Sequence, residues 1–221
     1  MRSEVRILSG AMFLEYFSSG PAATHCILLG CSKTKRAAVI DLPFEASVKV
    51  LAIAKRLHLT IDRILLTHSH WDHIAEVALL QKELGVPVYI HPEDEPNLRS
   101  PGADGLPLLK PITPARADHF LSDGQKMVLG ELMIEVFHTP GHSPGSVCFY
   151  LPKEGVLLAG DTLFKGSIGN ISFPTSSPEK MWRSLEKLAK LPPNTRVISG
   201  HGSETTIGAE SWLPNAQEYF G

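Results

Sequence analysis

The feature that most constrains this chain is a cluster of imidazole and carboxylate side chains in the segment Thr-His-Ser-His-Trp-Asp-His at positions 67–73. The segment directly follows an apolar run that predicts a buried strand. Imidazole and carboxylate groups are ligands that zinc and iron prefer in proteins. Because side chains two apart on an extended segment share a face, His68 and His70 are expected to bind one ion. Asp72 and His73 stand where a helix begins, so they are expected to face a neighbouring ion.

Three further residues of the same types stand near the ends of predicted strands. His142, Asp161 and His201 each come after a strand, and each has a glycine directly before it. Loops at the carboxyl ends of strands converge in open α/β folds, and ligands collect there. Polar clusters at such ends are costly unless a cation compensates for them. The seven residues together therefore predict a metal centre.

The other five histidines are predicted to be ordinary core or surface residues, because a lone histidine is more often structural than a ligand. They are His25, His58, His91, His119 and His138. His138 is the ambiguous member, since it ends the strand that precedes His142. Trp71 is predicted to pack beside the site rather than to take part in chemistry.

Hydrophobic periodicity predicts a layered α/β sandwich with sheets inside and helices outside, formed as one domain over residues 1–221. The predicted strands are short apolar runs at 5–8, 12–17, 26–29, 37–40, 61–67, 88–91, 131–137, 147–151, 156–159 and 196–199. Amphipathic helices are predicted at about 45–58, 72–84 and 178–190, the last one capped by Ser176 or Ser177, with a short helix at the C-terminus. The proline-rich stretch 92–118 predicts a long ordered loop or short helical turns.

Composition and charge narrow the class of protein. A net charge of −2 favours neither nucleic acid nor an acidic membrane, and no apolar run reaches the roughly 20 residues of a membrane span. Charged residues within positions 1–20 interrupt any signal-peptide core. The three cysteines form no C-x-x-C pair, which predicts small buried hydrophobes in a reducing compartment. A cytoplasmic protein with a small-molecule substrate is expected.

Four segments resemble the metallo-β-lactamase superfamily, and most closely its hydroxyacylglutathione hydrolase (glyoxalase II) branch. They are Thr67–His73, His138-Thr-Pro-Gly-His142, Ala159-Gly-Asp161-Thr-Leu-Phe164 and Gly200-His201-Gly202. The resemblance covers nearly the whole chain in order and spacing. It implies a four-layer αββα sandwich, the metallo-β-lactamase fold, with the active site along one edge of the sheets.

The resemblance also divides the seven residues between two divalent metal ions, zinc being expected and iron or manganese being alternatives. The first ion would be bound by His68, His70 and His142. The second would be bound by Asp72, His73 and His201. Asp161 would bridge the two ions, and Asp72 would help to orient the nucleophile, so both aspartates are candidate catalytic residues.

A hydroxide that bridges two such ions is a nucleophile for ester-type bonds. The resemblance therefore implies a thioesterase that acts on hydroxyacylglutathione-type substrates. The alternatives are a persulfide dioxygenase with one iron, or a hydrolase of another small ester or lactone. Secreted β-lactamases are disfavoured because they lack the equivalent of Asp161, and flavodiiron proteins because they carry a carboxylate at the place of His70.

Two departures from the glyoxalase II pattern concern the glutathione part of the substrate. Full-length members carry a C-terminal helical domain that holds glutathione, whereas 20 residues follow His201 here. Asn170 stands where those enzymes have a lysine or arginine, so it is a candidate substrate residue. Weak affinity for the glutathione part is expected.

Overall fold

The computed structural model describes residues 4–221, with side chains from residue 10 onward, and within them the chain forms two large β-sheets and a short ribbon. Sheet I contains the first strands in chain order, namely β1 (Glu4–Ser9), β2 (Met12–Ser19), β3 (Thr24–Cys31), β4 (Arg36–Ile40), β5 (Thr60–Leu65), β6 (Val88–Ile90) and β7 (His119–Phe120). Strands β1 to β4 are antiparallel neighbours, and β4 to β7 run parallel. The carboxyl ends of β4, β5 and β6 therefore lie at the same edge.

Sheet II has the spatial order β15-β14-β11-β10-β9-β8. Its strands are β8 (Lys126–Leu129), β9 (Leu132–His138), β10 (Val147–Leu151), β11 (Val156–Gly160), β14 (Arg196–Ser199) and β15 (Thr205–Thr206), and the ribbon is β12 (Leu163–Phe164) with β13 (Ser167–Ile168). Strands β9 and β11 are both antiparallel to β10, and β11 is parallel to β14. Their carboxyl ends consequently share one edge of sheet II.

The helices cover the outer faces of the two sheets. They are α1 (Ala46–Arg56), α2 (Trp71–Ile74), α3 (Val77–Leu84), α4 (Glu95–Arg99), α5 (Pro178–Leu188) and α6 (Ala216–Phe220), with 3₁₀ turns at Ile207–Ala209 and Leu213–Asn215. None of these helices is long and apolar enough to span a bilayer in the described part of the chain.

Three apolar layers hold the sandwich together. Between the sheets, Leu14 and Leu29 of sheet I pack in one buried cluster with Phe149 of sheet II. Val50 of α1 belongs to the cluster on the outer face of sheet I, and Leu185 of α5 to the cluster on the outer face of sheet II. Burial of this apolar surface is the main stabilising contribution to the fold. The predicted four-layer αββα sandwich is confirmed.

The predicted helix at 72–84 is wrong in one respect, because it is broken into α2 and α3. The carboxylate of Glu76, at the break, points toward the start of α1. Its Oε1 and Oε2 accept hydrogen bonds from Glu45 N and Ser47 N, both at 2.7 Å. These are backbone donors at the start of α1, which have no partner within the helix itself. A contact between helices that are distant in sequence thus decides where α3 begins.

The two sheets approach each other closely at the edge where the ligand-type residues lie. Gly160 ends β11 with a positive φ of 48°, and a Cβ there would lie 2.7 Å from Thr67 Cβ. Thr67 follows β5 of sheet I, and its carbonyl accepts a hydrogen bond from Val147 N of sheet II at 2.8 Å. The absence of a side chain at Gly160 therefore allows the two strand ends to meet.

Candidate metal centre

All seven predicted ligand residues lie together at this edge. His68 and His70 are in the loop after β5, and Asp72 and His73 are in α2. The others come from sheet II, with His142 in the loop after β9, Asp161 directly after β11 and His201 after β14. The structure thus brings residues from four strand ends into one polar cluster between the sheets.

The first cluster consists of His68, His70 and His142, whose ligand nitrogens all lie within 4.8 Å of one another. Each of these side chains is buried. His70 Nδ1 lies 2.8 Å from His142 Nε2, and the rings meet edge to face. Three imidazoles that converge on one point form a site with the donor type that suits zinc or iron.

The second cluster consists of Asp72, His73 and His201, whose ligand atoms also lie within 4.8 Å of one another. Asp72 Oδ2 is 3.4 Å from His73 Nε2 and 3.3 Å from His201 Nε2. Thr24 Oγ1 donates a 2.6 Å hydrogen bond to the same carboxylate oxygen and fixes its orientation. This cluster is mixed, with two imidazoles and one carboxylate.

Asp161 lies between the two clusters. Its Oδ2 is 3.5 Å from His142 Nε2 of the first cluster and 3.4 Å from His201 Nε2 of the second. Its Oδ1 is 3.5 Å from His73 Nε2. A carboxylate with one oxygen near both clusters has the placement that a bridging ligand needs.

Two buried atoms show that the residues fit a bound cation. Thr67 Oγ1 donates to Asp41 Oδ2 at 2.7 Å, so it accepts the Nδ1 proton of His68 at 3.0 Å. His68 Nε2 is then an unprotonated acceptor, and it has no hydrogen-bond partner among the described residues. Asp161 Oδ1 is also buried and, among the described residues, accepts no hydrogen bond, with His73 Nε2 at 3.5 Å. An unsatisfied buried acceptor costs about 1–3 kcal/mol, and a metal ion would remove that cost.

Burial governs the protonation of the first cluster. Desolvation, together with the charge of His73 and then of His70, lowers the pKa of His68 well below its usual value. Desolvation and the neighbouring His142 lower the pKa of His70 to about 3. Both imidazoles are therefore neutral near pH 7, which is the form that binds metals.

The carboxylates govern the second cluster. Burial alone would lower the pKa of His73, but the charges of Asp72 and Asp161, followed by that of Asp41, hold it well above its usual value. Burial likewise opposes protonation of His201, but hydrogen bonds to Asp161 and Asp72 raise its pKa to about 9. Burial alone would raise the pKa of Asp72 and of Asp161, but the charge of His73 and the hydrogen bond from His201 lower both, the pKa of Asp72 to about 2. Cations that bind here would displace protons from the two imidazoles.

Asp41 is a functional-site residue that the sequence analysis missed. It follows β4 and is 2% exposed. Its carboxylate accepts hydrogen bonds from Thr67 N and His73 Nδ1, both at 2.8 Å, besides the Thr67 hydroxyl bond. The signal was available, since an aspartate that ends an apolar strand matches the pattern of the other ligand-type residues.

The five histidines that were predicted to be structural lie outside the metal-type clusters of the described residues. His25 is buried, and its Nδ1 bonds Ser199 O at 2.8 Å. His91 and His138 stack on each other with ring centroids 3.9 Å apart. Cys26, Cys31 and Cys148 are free and buried, as predicted.

Asn170 lies beside the first cluster, but the contact is made by its backbone. The carbonyl of Asn170 accepts a hydrogen bond from His142 Nδ1 at 2.9 Å. The side chain is exposed, and its Oδ1 accepts from Ser172 N at 2.7 Å. The structure therefore gives Asn170 a role in orienting His142, and a substrate role of its side chain stays a prediction.

Phe173, which the sequence analysis did not single out, forms an apolar wall of the site. Its ring centroid lies 5.4 Å from that of His70 and 5.6 Å from that of His142. Ser176, at the end of the same loop, donates to the carbonyl of His142 at 2.7 Å. Ser177, rather than Ser176, caps α5, because its side chain accepts from Lys180 N.

The chain is similar to known metal-dependent proteins over most of its length. It is 36% identical to the "Probable metallo-hydrolase YqgX" of Bacillus subtilis, covering 73% of this chain and 78% of the relative. It is 34% identical to "Hydroxyacylglutathione hydrolase GloC" of Haemophilus influenzae, covering 80% of this chain and 84% of the relative.

Two solved structures share the fold at higher identity. The B3 metallo-beta-lactamase BLEG-1 superposes with a TM-score of 0.83 at 38% identity, covering 89% of this chain and 95% of that one. A protein crystallised in a di-iron-bound form superposes with a TM-score of 0.74 at 39% identity, covering 88% and 95%. The family profile described as "Metallo-beta-lactamase superfamily" matches residues 19–201. Because this profile matches most of the chain, and the fold and the clustered ligand residues agree with it, the chain belongs to the metallo-beta-lactamase superfamily.

Proposed function

We propose that this metal-dependent hydrolase works with two metal ions and cleaves thioesters of the hydroxyacylglutathione type. The observation that carries the proposal is the pair of adjacent ligand clusters with Asp161 Oδ2 within 3.5 Å of a histidine in each. The first cluster would bind one ion, the second cluster would bind the other, and Asp161 would contact both.

The ions, held by these residues, would supply Lewis acidity and would acidify water so that hydroxide is available near neutral pH. The protein's own residues then position and hold protons. Thr24 fixes Asp72 through the 2.6 Å hydrogen bond to Oδ2, which leaves Oδ1 to accept a hydrogen bond from the attacking water. Phe173 covers one side of His70 and His142 and limits the access of bulk water to the first cluster.

A thioester suits a site of this kind because a thiolate leaves without much help from a proton donor. The similarity to a hydroxyacylglutathione hydrolase at 34% identity supports this class of substrate. The exposed Asn170 side chain offers no positive charge to the carboxylates of glutathione. We therefore propose a small thioester as the substrate, with weak recognition of the glutathione part.

Zinc is the proposed metal, and iron is the alternative. Imidazole-rich sites accept both, and the similar di-iron protein supports iron as a competitor. Elemental analysis of protein purified without added metal distinguishes them. One tightly bound iron with an empty second site, together with oxygen uptake in the presence of glutathione persulfide, would favour a persulfide dioxygenase instead.

Hydrolysis of β-lactams is a second candidate, because BLEG-1 is 38% identical over most of the chain. The central experiment compares kcat/KM for S-lactoylglutathione with kcat/KM for a chromogenic cephalosporin, using the same zinc-loaded protein. The proposal expects the thioester to be preferred by at least tenfold. A preference for the cephalosporin, or no turnover of any thioester, would contradict it.

The proposal also covers the setting in which the enzyme works. Three free and buried cysteines suit a reducing compartment such as the cytoplasm. A small-molecule substrate suits a site that lies in a cleft between loops, and neither nucleic acid nor membrane is proposed as a partner.

A further inference from the structure

Asp94 is a buried carboxylate that the proposed chemistry does not use. It stands in the turn between β6 and α4 and is 2% exposed. Its Oδ2 accepts hydrogen bonds from Ser69 N at 2.8 Å and Ser143 Oγ at 2.9 Å. Its Oδ1 accepts from Gly145 N at 2.6 Å. Both oxygens are therefore occupied by donors that water cannot easily replace at a buried position.

The donors to Asp94 come from two separate ligand-bearing loops. Ser69 lies between His68 and His70 in the loop after β5, and Ser143 directly follows His142 in the loop after β9. These two loops carry all three imidazoles of the first cluster. A single carboxylate thus ties together the segments whose spacing determines the geometry of that cluster.

Gly145 and Asn97 reinforce the connection that Asp94 makes between the two loops. A Cβ at Gly145 would lie 2.7 Å from Asp94 Oδ1 and 2.8 Å from Asp94 N, so only glycine lets the loop approach so closely. Asn97 Nδ2 donates to Ser69 O at 2.6 Å. The backbone N–H and the carbonyl of Ser69 are therefore both hydrogen-bonded to the segment 94–97, which follows β6 of sheet I.

We propose that Asp94 is a positioning residue for the first cluster, which sets the distance between its two loops and so the affinity for the ion bound there. The inference rests on the proposed function, since it takes the two clusters to be metal sites. Residues that orient metal ligands typically change metal affinity 10–100-fold when they are replaced. Asp94 has no hydrogen bond to the three residues of the second cluster, so the effect is confined to one site.

Asp94→Asn tests the proposal with almost no change in size. The amide places an NH₂ group against either Gly145 N or Ser69 N, so in each orientation one backbone N–H loses its acceptor. Zn²⁺ affinity is measured by competition with a chromophoric chelator in two backgrounds. His201→Ala leaves the first cluster intact, and His142→Ala leaves the second cluster intact. We expect about 10–100-fold weaker zinc binding in the first background and less than about threefold in the second.

Glu15→Gln is the matched control, because Glu15 is also a fully buried carboxylate but pairs with Arg56 away from the clusters. It should leave the zinc affinity unchanged in both backgrounds. Equal weakening by Asp94→Asn in both backgrounds, or no weakening in either, would overturn the proposal. Failure of the wild-type chain to bind zinc would instead refute the metal centre itself, and the inference with it.

Ser143→Ala keeps the test decisive if Asp94→Asn does not fold. It removes the hydroxyl that donates to Asp94 and lies 2.7 Å from Ser146 Oγ, whereas Ser69 N and Gly145 N remain bonded to Asp94. Circular dichroism of the metal-free proteins shows whether each variant is folded. Ser143→Ala should weaken zinc binding in the His201→Ala background by roughly threefold, on the scale of one lost hydrogen bond. An unchanged affinity in that background would contradict the positioning role.

Discussion

Four of the five imidazoles in the centre have their Nδ1 bound to an oxygen atom of the protein. The acceptors are Thr67 Oγ1 for His68, Asp41 Oδ2 for His73, and the carbonyl oxygens of Asn170 for His142 and of Ala22 for His201. Each of these bonds fixes the ring and turns Nε2 toward the cluster. His70 differs, since it is Nδ1 that faces His142 Nε2. The direction of these four ligands is thus set by partners that are not ligands.

Replacement of Asp161 by alanine is expected to damage turnover more than folding. The change removes the carboxylate whose Oδ2 lies within 3.5 Å of a histidine in each cluster, so the two proposed ions would lose their shared ligand together. Activity on S-lactoylglutathione should fall at least about a hundredfold, the scale on which loss of a main electrostatic contributor acts. Circular dichroism should remain close to that of the wild type. Near-normal activity in Asp161→Ala would refute the bridging role.

Asn170→Lys is expected to improve binding of glutathione thioesters. The exposed lysine would add a charge-assisted contact of about 0.5–1.5 kcal/mol to a substrate carboxylate, which corresponds to roughly a three- to tenfold change in binding. The carbonyl that holds His142 is backbone and is kept. KM should therefore fall while kcat changes little, because the contact is away from the reacting carbonyl.

The control for this change is Asn170→Gln, which alters the length of the side chain without adding a charge. A thioester without the carboxylates of glutathione should not respond to either variant. An unchanged KM for S-lactoylglutathione, or an equal gain for both thioesters, would show that the side chain at position 170 does not face the substrate.

Among strands and helices, the rule that ligands collect at the carboxyl ends of strands predicted that the seven ligand-type residues would lie together. His142, Asp161 and His201 are far apart in sequence, yet each follows a strand of sheet II, and the parallel directions of β9, β11 and β14 bring them to one edge. The apolar runs predicted these strands because sheets buried on both faces need nearly continuous hydrophobic sequence.

The parts that could not be predicted depend on contacts between distant segments. Glu76 directly precedes α3, and its side chain binds backbone donors at the start of α1, which a local pattern of apolar residues does not reveal. Asp41 and Asp94 bind loops that are distant from them in sequence, so the local sequence around each aspartate does not reveal its partners. The edge strands β7 and β15 have two residues each, too few for a periodic signal.

Gly160→Ala tests the close approach of the two sheets at the site. The Cβ would lie 2.7 Å from Thr67 Cβ, so the strand ends would have to separate. Gly124→Ala is the matched control, because its φ of 71° is also positive but nothing lies within 4 Å of the added atom. The control should cost about 1 kcal/mol of unfolding free energy, from backbone strain alone. Gly160→Ala should cost at least about 2 kcal/mol more in urea unfolding. Equal costs would show that the strand ends adapt without strain.

On the scale of the whole molecule, the centre joins the two sheets at one edge of the sandwich. Ions bound there would contact loops of both sheets and would stabilise only the folded state. At a metal concentration about a thousand times the dissociation constant, each ion would contribute about 4 kcal/mol. Removal of metal with a chelator should therefore lower Tm by about 8–16 °C for each ion lost in a chain of this size. A melting curve that is unchanged by chelation would contradict this contribution.

The number of zinc ions per chain is the sharpest test of the two-metal centre, and elemental analysis of zinc-saturated protein after removal of free metal determines it. We expect two ions in the wild type and at most one in Asp161→Ala, because the two clusters depend on a shared carboxylate. One ion per wild-type chain at saturating zinc, or two ions retained in Asp161→Ala, would contradict this expectation.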